Sequence, residues 1–299
     1  MSARRAQDAD SPAAQTPGRV ALVGAGPGSI DLLTLKAARL LAAADWLVHD
    51  ALVQPEVIAL ATRARVIGVG KRAGRKSARQ QEINRILIDC ARRGGLVVRL
   101  KGGDPLLFGR AQEELDALRD AGIAVEVVPG ITTAQAAYAS LATPMTERGR
   151  RRSVVFATPQ VGKCNSADAQ PAPAELHWAR ALVNAQGGAL YMVSTVVART
   201  RAALLSLGMP ANTPATWVIS VSLPGQSVLR TTLGELRPLP ADLAGQPAIL
   251  LLGIAVEAPL SVLPSPPDIA ESTQYAHAST ELEPAEEREG AACTADTRP

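Results

Sequence analysis

Two glycine-rich stretches carry the residue types best suited to chemistry. Val98-Arg99-Leu100-Lys101-Gly102-Gly103-Asp104-Pro105 runs out of an apolar, β-branched strand into two glycines, an acid and a proline. Glycines at a strand's end let another molecule come close to the backbone, because no Cβ blocks the approach. Asp104 can accept hydrogen bonds from such a ligand, and Pro105 ends the ladder and stiffens the turn. Tight turns use the same residues, so this stretch alone leaves turn and ligand site equally open.

The second stretch is Gly24-Ala25-Gly26-Pro27-Gly28-Ser29, between a strand and a helix, with Asp50 at the end of the next strand. That is the setting of a dinucleotide fingerprint with its ribose-binding acid. Two features argue against a dehydrogenase. Ser29 stands where the third glycine belongs, and Pro27 removes an N–H where a pyrophosphate needs donors. A nucleoside without a pyrophosphate fits better, and S-adenosylmethionine (SAM) is one.

These residues need strands and helices to position them. Strands are expected at Arg19–Val23, Trp46–Val48, Val66–Val69, Leu96–Leu100 and Val125–Val128. Helices are expected at Leu33–Ala43, Pro55–Ala61, from a Ser77 cap through Arg92, at Glu113–Ala121 and at Thr132–Ser140. Such alternation implies an α/β fold with a parallel sheet and right-handed crossovers. Ligands bind at the carboxyl ends of the strands in such sheets, where Asp50, Lys71 and both glycine stretches fall. The arginine-rich stretch 144–152 reads as a linker. A second α/β unit follows, with strands at Ser153–Ala157, Leu190–Val193, Thr216–Val221, Ser227–Thr232 and Ala248–Gly253, and a helix at Val196–Leu207. The short turn after Val221 suits an antiparallel hairpin, and residues 162–173 read as a polar loop.

The expected division is therefore 1–17 as a disordered N-terminal segment, 18–143 and 153–257 as domains, and 258–299 as a disordered acidic tail. The tail holds eight acids and two bases, with little apolar content. Residues 18–257 carry nine more bases than acids, which suits an anionic ligand. Apolar residues make up 47% of the chain and aromatics only 3%, so the core must be built from Ala, Val, Leu and Ile. Cys90, Cys164 and Cys293 are odd in number and far apart, which suggests neither a disulfide framework nor a zinc site. A reducing, cytoplasmic setting is expected, with no metal, no signal peptide and no membrane span.

Taken together, the motifs resemble the tetrapyrrole methylase family, and within it the uroporphyrinogen-III C-methyltransferases. The resemblance rests on Val23-Gly24-Ala25-Gly26-Pro27-Gly28, Leu32-Leu33-Thr34-Leu35-Lys36-Ala37, Asp50-Ala51-Leu52-Val53 and Val69-Gly70-Lys71-Arg72-Ala73-Gly74. It continues through Gln80-Gln81-Glu82-Ile83-Asn84, Val98 to Pro105, Phe108-Gly109-Arg110, Glu113-Glu114-Leu115 and Val127 to Thr132. Pro144-Met145-Thr146, Tyr191-Met192 and Pro247-Ala248-Ile249 extend it, in order, over about Val20 to Val256. It implies the two-domain fold of that family, with a mostly parallel N-terminal sheet, a mixed C-terminal sheet and SAM in the cleft between them. It also implies a homodimer, a tetrapyrrole substrate and no nucleic-acid or membrane partner. The implied reaction is two methyl transfers to pyrrole carbons of uroporphyrinogen III, giving precorrin-2 for the sirohaem, cobalamin or haem d1 branch.

Roles carried over from the family make Asp50 the proton acceptor and Lys71 the proton donor. Arg110, Glu113 and Arg148 fall near the tetrapyrrole, where arginine suits propionate and acetate carboxylates. Cofactor contacts fall on Gly24, Gly26, Pro27, Gly28, Gly102, Gly103, Asp104, Leu107, Thr132, Thr133, Met192 and Val221. The chain departs from the family pattern at Ala51, Glu147, Pro159-Gln160, Ile219-Ser220 and Ala111-Gln112. Several of these positions belong to the cleft. They leave open methylation at a different ring position, or binding of SAM and tetrapyrrole without turnover.

Overall fold

The computed structural model describes residues 18–70, 80–159, 176–185 and 187–253. The first sheet contains β1 (Arg19–Gly24), β2 (Trp46–His49), β3 (Arg65–Gly68), β4 (Leu96–Lys101) and β5 (Val125–Val128). Its order is β3-β2-β4-β1-β5, and every pairing is parallel. Strands β1 and β4 lie at the centre and are buried on both faces, so they read as nearly continuous apolar runs.

Helices α1 (Leu35–Ala43) and α2 (Pro55–Ala59) cover one face of this sheet, packing on Ala21, Val23, Leu47, Val98 and Leu100. Helices α3 (Gln80–Arg92) and α4 (Ala111–Asp120) cover the other, on Val20, Leu22, Val48 and Val97. The chain thus leaves β1 toward one face and leaves its neighbour β4 toward the other. A crevice opens between the carboxyl ends of two such strands, and that is where ligands bind in open α/β sheets.

Element boundaries follow local capping. Helix α1 starts at Leu35 rather than Leu33, because the Thr34 side chain accepts the Ala37 N–H and caps it. A short 3₁₀ turn, Ile30–Leu32, fills the gap. Helix α4 begins two residues earlier than expected, at Ala111. The expected Ser77 cap lies outside the described residues.

The second sheet contains β6 (Val155–Ala157), β7 (Gly188–Leu190), β8 (Pro214–Ile219), β9 (Ser227–Thr232) and β10 (Ala248–Leu252), in the order β6-β7-β10-β8-β9. Only β6 and β7 pair in parallel, so the sheet is mixed, and β8–β9 is the expected hairpin. The strand expected at Leu190–Val193 is instead Gly188–Leu190. Met192 adopts φ 53°, a left-handed conformation that cannot continue a strand. Ser220, at φ 50°, ends β8 earlier than expected for the same reason. Helix α6 (His177–Asn184), which buries Ala179 and Leu182, was not expected, whereas α7 (Val197–Ser206) was. The polar loop at 162–173 and the acidic tail lie outside the described residues.

Helix α5 (Thr133–Ser140) follows β5 but packs on the second sheet. Ala134, Ala137, Tyr138 and Leu141 meet Ala189, Val218, Ile249 and Leu251, and the Tyr138 hydroxyl donates to Gly188 O at 3.3 Å. This alanine-rich helix is where the two sheets join. Among the described residues, no helix is long and apolar enough to cross a membrane.

Candidate active site

The two glycine stretches meet at the crevice between β1 and β4. Gly26 N–H donates to Gly103 O at 3.2 Å, and Gly103 N–H donates back to Gly26 O at 2.7 Å. Both residues have positive φ, 70° and 65°, which glycine adopts without the strain of a Cβ. The loop after β5 joins them. A Cβ on Gly24 would stand 2.6 Å from Gly103 O and 2.6 Å from Gly130 Cα, so the three strand ends converge only because these positions are glycine.

The other side of the turn is open. A Cβ on Gly102 would meet nothing within 4 Å, and one on Gly103 would stand 3.8 Å from Thr132 Cα. A cradle with bare backbone on one wall and the start of α5 on the other is what a nucleoside needs for close approach. Asp104 anchors the cradle: its Oδ1 accepts the Leu106 N–H at 2.8 Å and its Oδ2 the Gly130 N–H at 3.1 Å. Pro27 is half-buried in the first loop and Leu107 half-buried in the loop after β4.

The second sheet closes the far wall. The Ser222 hydroxyl accepts the Ser29 N–H at 3.0 Å, and the Leu223 side chain packs so closely on Gly28 that a Cβ there would stand 2.8 Å away. Tyr191 reaches the start of α5. Its hydroxyl lies 2.6 Å from Thr132 Oγ1 and accepts the Ala134 N–H at 3.1 Å, while its ring packs on Phe108 at 5.0 Å between centroids. Burial pushes the Tyr191 phenol up from its ordinary pKa, against the lowering effect of those hydrogen bonds. Thr133 is half-buried beside it, Met192 is exposed, and Val221 is buried in the core shared with α5. Phe108, Arg110, Met192, Ser220 and Ser222 all have positive φ without being glycine. Such strain collects where a site must be held in shape.

Of the residues assigned to chemistry, Asp50 stands at the carboxyl end of β2, with its side chain 34% exposed. Lys71 and Gln160 lie outside the described residues. Arg110 and Glu113 are exposed and bind each other through two hydrogen bonds of 2.7 Å, and these hold Glu113's carboxyl below its usual range. Arg148 is exposed on a turn closed by hydrogen bonds between Glu147 and Arg151.

One group was missed. Arg99 Nη2 donates to Asp50 Oδ1 at 2.6 Å and to Glu114 Oε1 at 3.1 Å, and Lys101 Nζ reaches the same Glu114 oxygen at 3.1 Å. Arg99, Lys101 and Glu114 are 1%, 3% and 0% exposed. Burial and the neighbouring Arg99 push the Lys101 ammonium down from its ordinary pKa, while Glu114 and Asp50 oppose them. The signal was present in the sequence. Val97, Arg99 and Lys101 alternate onto one face of a strand, and Glu114 falls between Ala111 and Leu118 on the buried stripe of α4.

The parallel sheet with its glycine cradle, docked on a mixed sheet, defines a class. The chain belongs to the tetrapyrrole (corrin/porphyrin) methylases, whose family model matches residues 19–237. Among solved structures, the uroporphyrin-III C-methyl transferase from Thermus thermophilus, complexed with S-adenyl homocysteine, is 34% identical with a TM-score of 0.65. That match covers 79% of this chain and 97% of that one. Cobalt precorrin-4 methyltransferase, a cobalamin biosynthetic enzyme, is 27% identical with a TM-score of 0.65, over 79% and 94%. The siroheme synthase of Zymomonas mobilis subsp. mobilis is 42% identical over 237 residues, covering 79% of this chain and 48% of that protein. The chain spans about half the length of the curated relatives it matches.

Proposed function

We propose that this chain transfers methyl groups from SAM to carbon atoms of uroporphyrinogen III, giving precorrin-2. The observation that carries the reading is the cradle at Gly26 and Gly103, open over Gly102 and closed by α5. The Thermus relative, similar over nearly its whole length, supports it, as do the siroheme synthases. Gly26, Pro27, Gly102, Gly103, Thr132 and Thr133 would hold the nucleoside, with Met192 and Val221 on the wall from the second sheet. SAM, when bound, supplies an electrophilic methyl on its sulfonium.

A pyrrole carbon is already electron-rich, so the protein's task is mainly to position it against that methyl. As the new carbon–carbon bond forms, the sulfonium electron pair returns to sulfur and the ring must lose a proton. Asp50 accepts that proton and Lys71 serves as donor. Arg110, Glu113 and Arg148 address the substrate's carboxylates. Asp50→Asn keeps the shape and removes the base. Base catalysis typically contributes about 10²–10⁴-fold, so single-turnover methylation should fall on the order of a hundredfold while S-adenosylhomocysteine affinity changes little. An unchanged single-turnover rate would remove Asp50 from the chemistry.

The equal TM-score to cobalt precorrin-4 methyltransferase favours a second reading, methylation at another ring position. Incubation with SAM and enzymatically made uroporphyrinogen III separates the two. Uptake of two methyl groups with the precorrin-2 spectrum supports the first. No uptake from this substrate, with methylation of a later precorrin, supports the second.

A further inference from the structure

We infer that Arg99 is a positioning residue that fixes the Asp50 carboxylate in the orientation in which it accepts a proton. The inference rests on the proposed role of Asp50 and deepens it. Asp50 has one oxygen committed to Arg99 at 2.6 Å, yet its side chain stays 34% exposed at the end of β2. An exposed carboxylate normally samples several rotamers; this one is held by a guanidinium that is itself immobile. Arg99 is buried, and it binds Glu114 Oε1 through both Nε at 3.2 Å and Nη2 at 3.1 Å. Its Nη1 donates to Leu100 O at 3.2 Å.

Glu114 is fixed in turn. The same oxygen accepts from Lys101 Nζ and from Gln80 Nε2, each at 3.1 Å. Its other oxygen is buried and, among the described residues, without a partner. A fully buried acid that crowds four donors onto one oxygen serves the groups above it more than its own solvation. The arrangement runs from α3 and α4, through β4, to the tip of β2. It places a fixed cation against the proposed base from below.

The charged and titratable groups around Asp50 can be named element by element. Arg99 and Lys101 come from β4, Glu114 from α4 behind Arg99, and His49 from β2, its Nδ1 donating to Asp50 O at 2.9 Å. Lys71 lies outside the described residues. Charge-assisted hydrogen bonds from a fixed guanidinium restrict the positions a carboxylate can take. Weakening Arg99's grip should therefore slow methyl transfer without changing cofactor affinity. Removing the Glu114 charge, which holds the guanidinium in place, should slow it too, by less. A residue that only supported the fold would slow the reaction as much in the Asp50→Asn background as in the parent chain.

The test uses the full chain and four variants: Arg99→Lys, Glu114→Gln, Asp50→Asn and Arg99→Lys with Asp50→Asn. Single-turnover rate is measured beside S-adenosylhomocysteine affinity. Arg99→Lys keeps the charge but cannot reach Asp50 and Glu114 together. It should slow methyl transfer about tenfold, with affinity unchanged. Glu114→Gln should slow it severalfold, and the effect of Arg99→Lys should vanish in the Asp50→Asn background. A slow Asp50→Asn beside an Arg99→Lys effect that is absent, or undiminished in that background, would overturn the role of Arg99 and leave Asp50 as the base. A normal rate in Asp50→Asn would overturn the reading of Asp50 itself, and the inference with it. Should Arg99→Lys fail to fold, Glu114→Gln decides alone: slowed methyl transfer at unchanged affinity supports the inference, and a normal rate overturns it.

Discussion

At the scale of single residues, the glycines of the crevice divide into two kinds that can be told apart by substitution. Gly24 is glycine for the protein's own sake, since a Cβ would stand 2.6 Å from backbone atoms of two neighbouring loops. Gly102 has no such need, because its Cβ would meet nothing. Gly24→Ala should therefore force the ends of β1, β4 and β5 apart and destabilise the fold by about 1–3 kcal/mol, as overpacking does. Gly102→Ala should leave the urea midpoint unchanged and weaken S-adenosylhomocysteine binding severalfold, because the added methyl occupies the ligand's side of the turn. Calorimetric titration beside urea denaturation separates the two. If Gly102→Ala lost stability with affinity intact, the open space above the turn would not be the nucleoside's. The sequence made both glycine loops legible because glycines close to a proline at a strand's end mark a turn whose backbone can be approached closely. It hid the pairing of the charged group beneath them, although strand and helix periodicity put its members on buried faces. Leu96–Leu100 was read as an apolar strand, and the partners of Arg99 are 15 and 49 residues away in the chain. No local pattern records such long-range pairing.

At the scale of elements, the five parallel strands could be read because buried β-branched runs alternate with amphipathic helices. The second sheet was harder. Tyr191-Met192-Val193 has strand-like residue types, yet Met192 turns left-handed, and Tyr191 is used to cap another element. Helix α5 has no side-chain cap of its own on its first N–H groups, and the Tyr191 hydroxyl from the other sheet supplies one. Tyr191→Phe should cost about 1–2 kcal/mol, as loss of a cap or a buried hydrogen bond does. The same phenol gives a pH signature. Burial raises its pKa above the ordinary 10.0, and burial does the same for Tyr138 at the other end of α5's contact. Both phenols favour their neutral forms in the fold. The stability they contribute is thus fully present below pH 10 and is lost as the pH rises toward the folded values. Urea midpoints measured from pH 8 to 11 should stay level and then fall. In Tyr191→Phe the fall should be shallower. An equally steep fall in that variant would assign the alkaline loss to other groups.

At the scale of the whole molecule, the family match and the folded unit do not end at the same residue. The match stops at residue 237, whereas β10 occupies Ala248–Leu252 at the centre of the second sheet, paired with both β7 and β8. Leu250 and Leu252 belong to the core of one face of that sheet, and Ile249 and Leu251 to the core shared with α5. Burying such side chains is worth roughly 1.5–3 kcal/mol each. Losing four of them removes an amount comparable with the whole stability of a typical domain, about 5–15 kcal/mol. A chain ended at residue 237 should therefore be insoluble or fail to bind S-adenosylhomocysteine, although it keeps every glycine of the crevice. A chain ended at Glu257 keeps β10 and loses only residues rich in acid, proline and alanine, with too little apolar surface to add to a core. It should express as soluble protein and bind S-adenosylhomocysteine within about twofold of the full chain, since a segment so poor in apolar residues adds little to a folded core. Calorimetric titration of both truncations checks this. Weak binding by the chain ended at Glu257, with normal solubility, would give the acidic segment a part in the site, and soluble, binding-competent protein ending at 237 would mean that the second sheet closes without its central strand.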